Sequence, residues 1–144
     1  MANQTKANHD RTFRKGDIEV YPVKNNEQIY AGQLVSIATT GNDINKAVNA
    51  GDTANTAFVG VAENTIKGDG TNNQTNLVRV KTKGIFNFAT HATLATTAIG
   101  TEVKIKDNQT VATTGLTQNI VCGVLSSVID ASNAFIYIKG KGSN

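Results

Sequence analysis

The strongest pattern in the chain is a two-residue alternation over residues 77–83. Val78, Val80 and Thr82 fall on one face, and Arg79, Lys81 and Lys83 on the other. Successive side chains of a strand point to opposite faces, so this stretch predicts a strand with one buried and one solvated side. Gly84 interrupts the run, and Phe86 and Phe88 keep the parity of Val78. The prediction is one long strand from Leu77 to Phe88, bent at the glycine. Shorter runs surround it. Ile18, Val20 and Pro22 alternate with Asp17, Glu19 and Tyr21, and Ile29–Ala38 reads as a second strand with a bulge or bend at Gly32. Ile44–Val48 is a candidate short strand, and Ala57–Ala62 is a continuous apolar run.

The second half of the chain pairs its runs more visibly. Val103 and Ile105 alternate with Glu102, Lys104 and Lys106, and Asp107-Asn108 turns the chain into Thr110–Ala112, a hairpin with an Asx-type turn. Ile120–Val128 and Ala134–Lys139 flank the turn residues Asp130–Asn133 and predict another hairpin. Residues 67–76, rich in Gly and Asn, form a loop, read as a hairpin tip. Thr90–Ile99 is the one place suited to a short helix, although its threonines weaken that reading.

Composition supports many strands joined by many turns. The 144 residues include 19 Thr and 17 Asn, a quarter of the chain. Thr fits pleated strands, and Asn bonds to nearby backbone in turns. Hydrophobic residues make up 39% and Trp is absent, so the core must be thin and built from small branched side chains. The fold class expected is all-β: a small β-sandwich or β-barrel with many short antiparallel strands, the two architectures remaining open. Residues 1–16 are polar and carry Lys6, Arg11, Arg14 and Lys15. They are expected to form a flexible N-terminal arm, either a plain disordered end or a segment that orders against a partner. Residues 17–140 form the single body, and 141–144 a polar tail.

Charge and chemistry then narrow the function. A net charge of +3 is mild, and the basic residues are scattered rather than gathered into a stripe with aromatics between them. No nucleic-acid partner is expected from that distribution. No apolar run approaches the roughly 20 residues that span a bilayer, and Met1–Lys6 lacks the apolar centre of a signal peptide. The expectation is a soluble chain with no membrane partner, made in a cytoplasm. Cys122 is the single cysteine and lies in an apolar run, the setting of a buried inert thiol. His9 and His91 have no second ligand at metal spacing. Asp69 between two glycines lacks the spaced carboxylates of a helix-loop-helix calcium site and the Lys-Ser or Lys-Thr of a phosphate loop. No Gly-x-Ser-x-Gly elbow occurs. No catalytic residue, metal or cofactor is expected, and the chain reads as a protein other than an enzyme.

The order of the strand runs carries one further signal. Ala31-Gly32-Gln33-Leu34-Val35 is followed by Phe58-Val59-Gly60-Val61-Ala62, then by Val78-Arg79-Val80 leading to Lys83-Gly84-Ile85-Phe86. Ile99-Gly100-Thr101-Glu102-Val103-Lys104-Ile105 comes next, and Cys122-Gly123-Val124-Leu125 precedes Ala134-Phe135-Ile136-Tyr137-Ile138. This succession resembles the phage capsid cement, or decoration, proteins over roughly residues 17–139. The chain departs from that pattern in its longer polar arm, its Asn-rich loop at 67–76 and Cys122 in place of a small apolar residue. The resemblance implies a structural virion protein, commonly a homotrimer, that binds the outside of a mature head and bridges major capsid protein subunits. It thereby places the chain on the capsid exterior, after a stay in the host cytoplasm during assembly. Bridging further suggests exposed strand edges for pairing with another chain, and an arm whose Lys6, Arg11, Arg14 and Lys15 contact the capsid. The alternative reading is a head fibre or host-surface adhesin whose Thr- and Asn-rich loops bind glycans, for which the 6% aromatic content is low.

Overall fold

The computed structural model describes residues 17–68, 76–90, 97–130 and 132–140. The basic residues Lys6, Arg11, Arg14 and Lys15, most of the 67–76 loop, His9, His91 and the tail lie outside them. The described chain is all-β, with twelve strands and no helix. Of the segment suited to a short helix, Thr90 ends a strand and the chain turns at 99–100, while 91–96 lie outside the described residues.

The first half builds a five-stranded sheet from β1 (Ile18–Pro22), β3 (Leu34–Ala38), β4 (Ala47–Asn49), β5 (Thr56–Ala62) and β7 (Leu77–Lys81), in the order β1-β7-β5-β3-β4. The strands pair antiparallel. Just beyond β1, Val23 makes a parallel bridge to Ala47 at the start of β4. The two edge strands are therefore drawn toward each other and the sheet is curled. Two short strands, β2 (Gln28–Ile29) and β6 (Ile66–Lys67), pair separately. The run expected as one strand, Ile29–Ala38, is thus broken in two. Gly32 adopts φ +88, a conformation that β-carbons resist, and the turn there diverts Ile29 out of the sheet.

The second half is a closed barrel of β8 (Lys83–Thr90), β9 (Glu102–Ile105), β10 (Thr110–Ala112), β11 (Val121–Asp130) and β12 (Asn133–Lys139), in the order β10-β8-β12-β11-β9. β10 runs parallel to β8 and antiparallel to β9, which completes the circle. Closure gives every strand of this half two neighbours, although β10 meets β8 only at Ala89 and Thr90. Edge strands remain in the first half, where β1 and β4 flank the sheet. Both predicted hairpins form, and Asp107 and Asp130 accept the backbone N–H of the residue two positions on, at 2.9 and 2.8 Å, which fixes each turn.

The long strand predicted over Leu77–Phe88 is shared between the halves. Its parity holds, because Val78, Val80, Thr82 and Phe88 are buried and Arg79, Lys81 and Lys83 are exposed. The chain changes sheets at Thr82, two residues before the glycine expected to bend it.

Two cores follow. One fills the barrel with Phe88, Val103, Ile105, Val111, Cys122, Leu125, Ile136 and Ile138, and is capped by Leu34, Phe58 and Val61 from the sheet. The other lies on the opposite face of the sheet and holds Val23, Ile29, Val35, Ile37, Val59, Val78 and Val80. β5 serves both because it is bulged. Val35 pairs with Gly60 and Ser36 with Phe58, so Val59 is the extra residue. A strict alternation would put Val61 on the face of Val59; the bulge turns it toward the barrel with Phe58. The apolar face read for β1 is also corrected. Glu19 and Tyr21 lie opposite the buried Val80 and Val78, whereas Ile18 and Val20 are 40% and 37% exposed.

Candidate interaction surface

Asp17, the first described residue, joins the body at the change of sheets. The Thr82 N–H donates to the Asp17 carbonyl at 3.0 Å, and the Gly140 N–H donates to the Thr82 carbonyl at 2.6 Å. Where β1 begins, where β7 passes into β8 and where β12 ends are therefore one place. Lys81, Lys83 and Lys139 stand around it. Lys81 is 3.7 Å from a Glu63 carboxylate oxygen, which also receives Arg79 at 3.2 Å through its other oxygen.

Lys83 and Lys139 are partners in the β8–β12 ladder, directly opposite each other, and both are exposed. The next outward pair along the same ladder is Ile85 and Tyr137, followed by Asn87 and Phe135. Val124 of β11 lies beside Tyr137 on the far side. Ile85 is 60% and Phe135 38% exposed, although the inward residues of the same strands, Phe88, Ala134, Ile136 and Ile138, are buried. The barrel thus carries a strip of aromatic and branched side chains on its outside, ending at two lysines. The Lys139 ammonium sits 5.7 Å from the centre of the Tyr137 ring, within reach of a cation–π attraction.

Other polar groups of the described chain are engaged in holding the two halves together. The turn after β9 docks on the sheet, where the Asn108 amide donates to Gln33 Oε1 at 3.0 Å and to Asn49 Oδ1 at 2.9 Å. The Asn49 amide in turn donates to Glu27 Oε2 at 3.0 Å and to the Gln28 carbonyl at 2.8 Å. Asp52 reaches across to the 113–120 loop and accepts the backbone N–H groups of Thr117 and Gln118, both at 2.7 Å. Those two bonds, helped by the charge of Lys106, hold its carboxyl below the ordinary value of 3.8. A cleft of about 410 Å³ opens beside Lys24, Asp43, Asn49 and Asn55. Its carboxylates are committed to the fold, Glu27 to Asn49 and Asp43 to the buried Lys46 at 3.4 Å.

Cys122 is buried in the barrel, and burial pushes its thiol up to about 12, so the nucleophilic thiolate is scarce near neutrality. Among the described residues, no group of three or more His, Cys, Asp or Glu side chains is placed to hold a metal ion. The basic residues singled out in the sequence, Lys6, Arg11, Arg14 and Lys15, lie outside the described residues. Sequence reading missed the strip on β8 and β12. Its signal was present, because Ile85, Phe135 and Tyr137 occupy the polar parity of their strands. Compared with protein-family models, curated protein sequences and solved structures, the chain matches none.

Proposed function

We propose that this chain is a structural virion protein that binds the outer surface of a phage capsid and stabilises it by bridging major capsid protein subunits, with no catalytic role. The observation that carries the reading is the ordered series of strand-and-glycine steps from Ala31 to Ile138 and its resemblance to capsid decoration proteins. A well-packed body suits such work, and the described residues have two apolar cores and a closed barrel. The chain acts as a homotrimer on the head, and the basic residues Lys6, Arg11, Arg14 and Lys15 contact the shell. Many weak contacts on one lattice then add up by avidity.

The copy number of the chain in purified virions, measured by quantitative mass spectrometry against the major capsid protein, tests the proposal. A ratio near one is expected of a protein that coats the lattice. A ratio of a few per cent would favour a vertex fibre or adhesin instead, and absence from the virion would overturn both readings. Deleting residues 1–15 is expected to weaken attachment while leaving thermal unfolding of the body unchanged. Undiminished attachment would remove the arm from the mechanism.

A further inference from the structure

We infer that the outer face of β8 and β12, formed by Lys83, Ile85, Phe135, Tyr137 and Lys139, is the surface of the body that docks on a partner protein, and that the partner presents carboxylates set among apolar side chains. The inference rests on the capsid reading for the partner's location, the exterior of the shell, and adds the face used and the chemistry it meets.

Three observations carry it. First, these side chains lie outside the barrel core. The inward positions of both strands already fill the barrel core, and Ile85 and Phe135 face water. Apolar and aromatic residues held rigidly on a strand lose little entropy when covered, and such residues anchor protein interfaces. Second, the outward positions of β8 and β12 contain no carboxylate. Interface centres show the same depletion of acidic residues and enrichment in aromatics. Third, Lys83 and Lys139 are placed directly opposite each other, an arrangement that is unfavourable in a free sheet. Neither has an ion pair among the described residues. A carboxylate from outside, seated between the two ammonium groups, turns a repulsion into two attractions. Protein is favoured over nucleic acid as the occupant because, among the described residues, two cations border the strip and its centre is a branched aliphatic residue beside two aromatics.

The test uses full-length protein added to heads assembled without it, with cosedimentation read against protein concentration and salt. Two variants address the two halves of the argument, Lys83→Glu with Lys139→Glu, and Ile85→Ser with Phe135→Ser. Lys67→Glu, an exposed lysine on β6, is the control. Each variant is first shown to unfold like the wild type and to keep Cys122 unreactive. Both double variants are expected to bind at least roughly tenfold more weakly than wild type, and the charge reversal to flatten the salt dependence, with Lys67→Glu unchanged. Wild-type affinity in both double variants would overturn the inference and leave the capsid reading standing. Wild-type protein that fails to bind heads at all would overturn the capsid reading, and this inference with it. Two further outcomes would also overturn it: double variants that lose self-association in sedimentation while individual copies still bind heads, and wild-type protein that binds duplex DNA through these lysines in modest salt.

Discussion

Replacing Gly60 by alanine tests the arrangement on which both cores depend. The residue follows the extra position of the β5 bulge and has φ +151, a region that residues with a β-carbon rarely enter. A β-carbon there would lie 2.1 Å from the Lys81 carbonyl oxygen and 2.6 Å from Val80 Cγ1. Ordinary contact between such atoms is roughly 3.5–4.0 Å, so the added methyl overlaps backbone that cannot rotate away. The forced backbone conformation costs about 1–3 kcal/mol and the overpacking a similar amount, giving about 4 kcal/mol together. That is a large part of the roughly 5–15 kcal/mol by which domains are stable, and it corresponds to a fall in Tm of about 15 °C. Urea unfolding of the wild type and Gly60→Ala measures the difference. Gly115→Ala is the companion variant, with φ +81 but no atom within 4 Å of the new methyl. It should lose only about 1–2 kcal/mol, the cost of the left-handed backbone alone. If the two variants unfold at the same urea concentration, the close approach of β5 to β7 is not what constrains Gly60, and the reasoning fails.

Three other outcomes follow from the same geometry. Cys122 should stay unmodified by a colorimetric thiol reagent in native protein at neutral pH and react fully once unfolded; full reaction in the native state would contradict a closed barrel. The Ser36 hydroxyl is buried with no hydrogen-bond partner, so Ser36→Ala should be neutral or stabilising by up to about 1 kcal/mol in urea unfolding, and a loss larger than that would mean the hydroxyl is bonded. Asp52 has a lowered folded value, so its contribution is present above the ordinary carboxylate value of 3.8 and is lost as pH falls through the folded one. Asp52→Asn should therefore be less stable than wild type at neutral pH and approach it in acid, as read by thermal unfolding across that range; a gap that persisted in strong acid would refute the assignment.

Alternation made part of this fold readable in advance. The parity of Val78, Val80, Thr82 and Phe88, and the two hairpins of the second half, depend on local spacing and turn chemistry, and both were legible in the sequence. What depended on distant pairing was not. Alternation in β1 marks two faces but does not say which is covered, and Tyr21 and Val23 rather than Ile18 and Val20 meet the core. The bulge at Val59 lies inside a run that is apolar throughout and buried on both sides, so no periodicity could reveal the slip. Closure of the barrel depends on β10 meeting β8 across residues 91–109, a contact that no local pattern encodes. The surface strip was marked on β8, where Ile85 keeps the parity of Lys81 and Lys83, but masked on β12. There its residues are apolar at positions whose strand neighbours are also apolar, so Ala134–Ile138 reads as one hydrophobic block.

The meeting of Asp17, Thr82 and Gly140 has a mechanical consequence. Asp17 and Gly140 each share a backbone hydrogen bond with Thr82. Pull applied to the chain at Asp17 and at Gly140 meets at one residue rather than at opposite ends of the barrel. Tension passed along the chain from one attachment to another would therefore bypass both cores. Force applied instead to the outer face of β12 is carried by its two neighbours, β8 and β11, along the whole length of the strand.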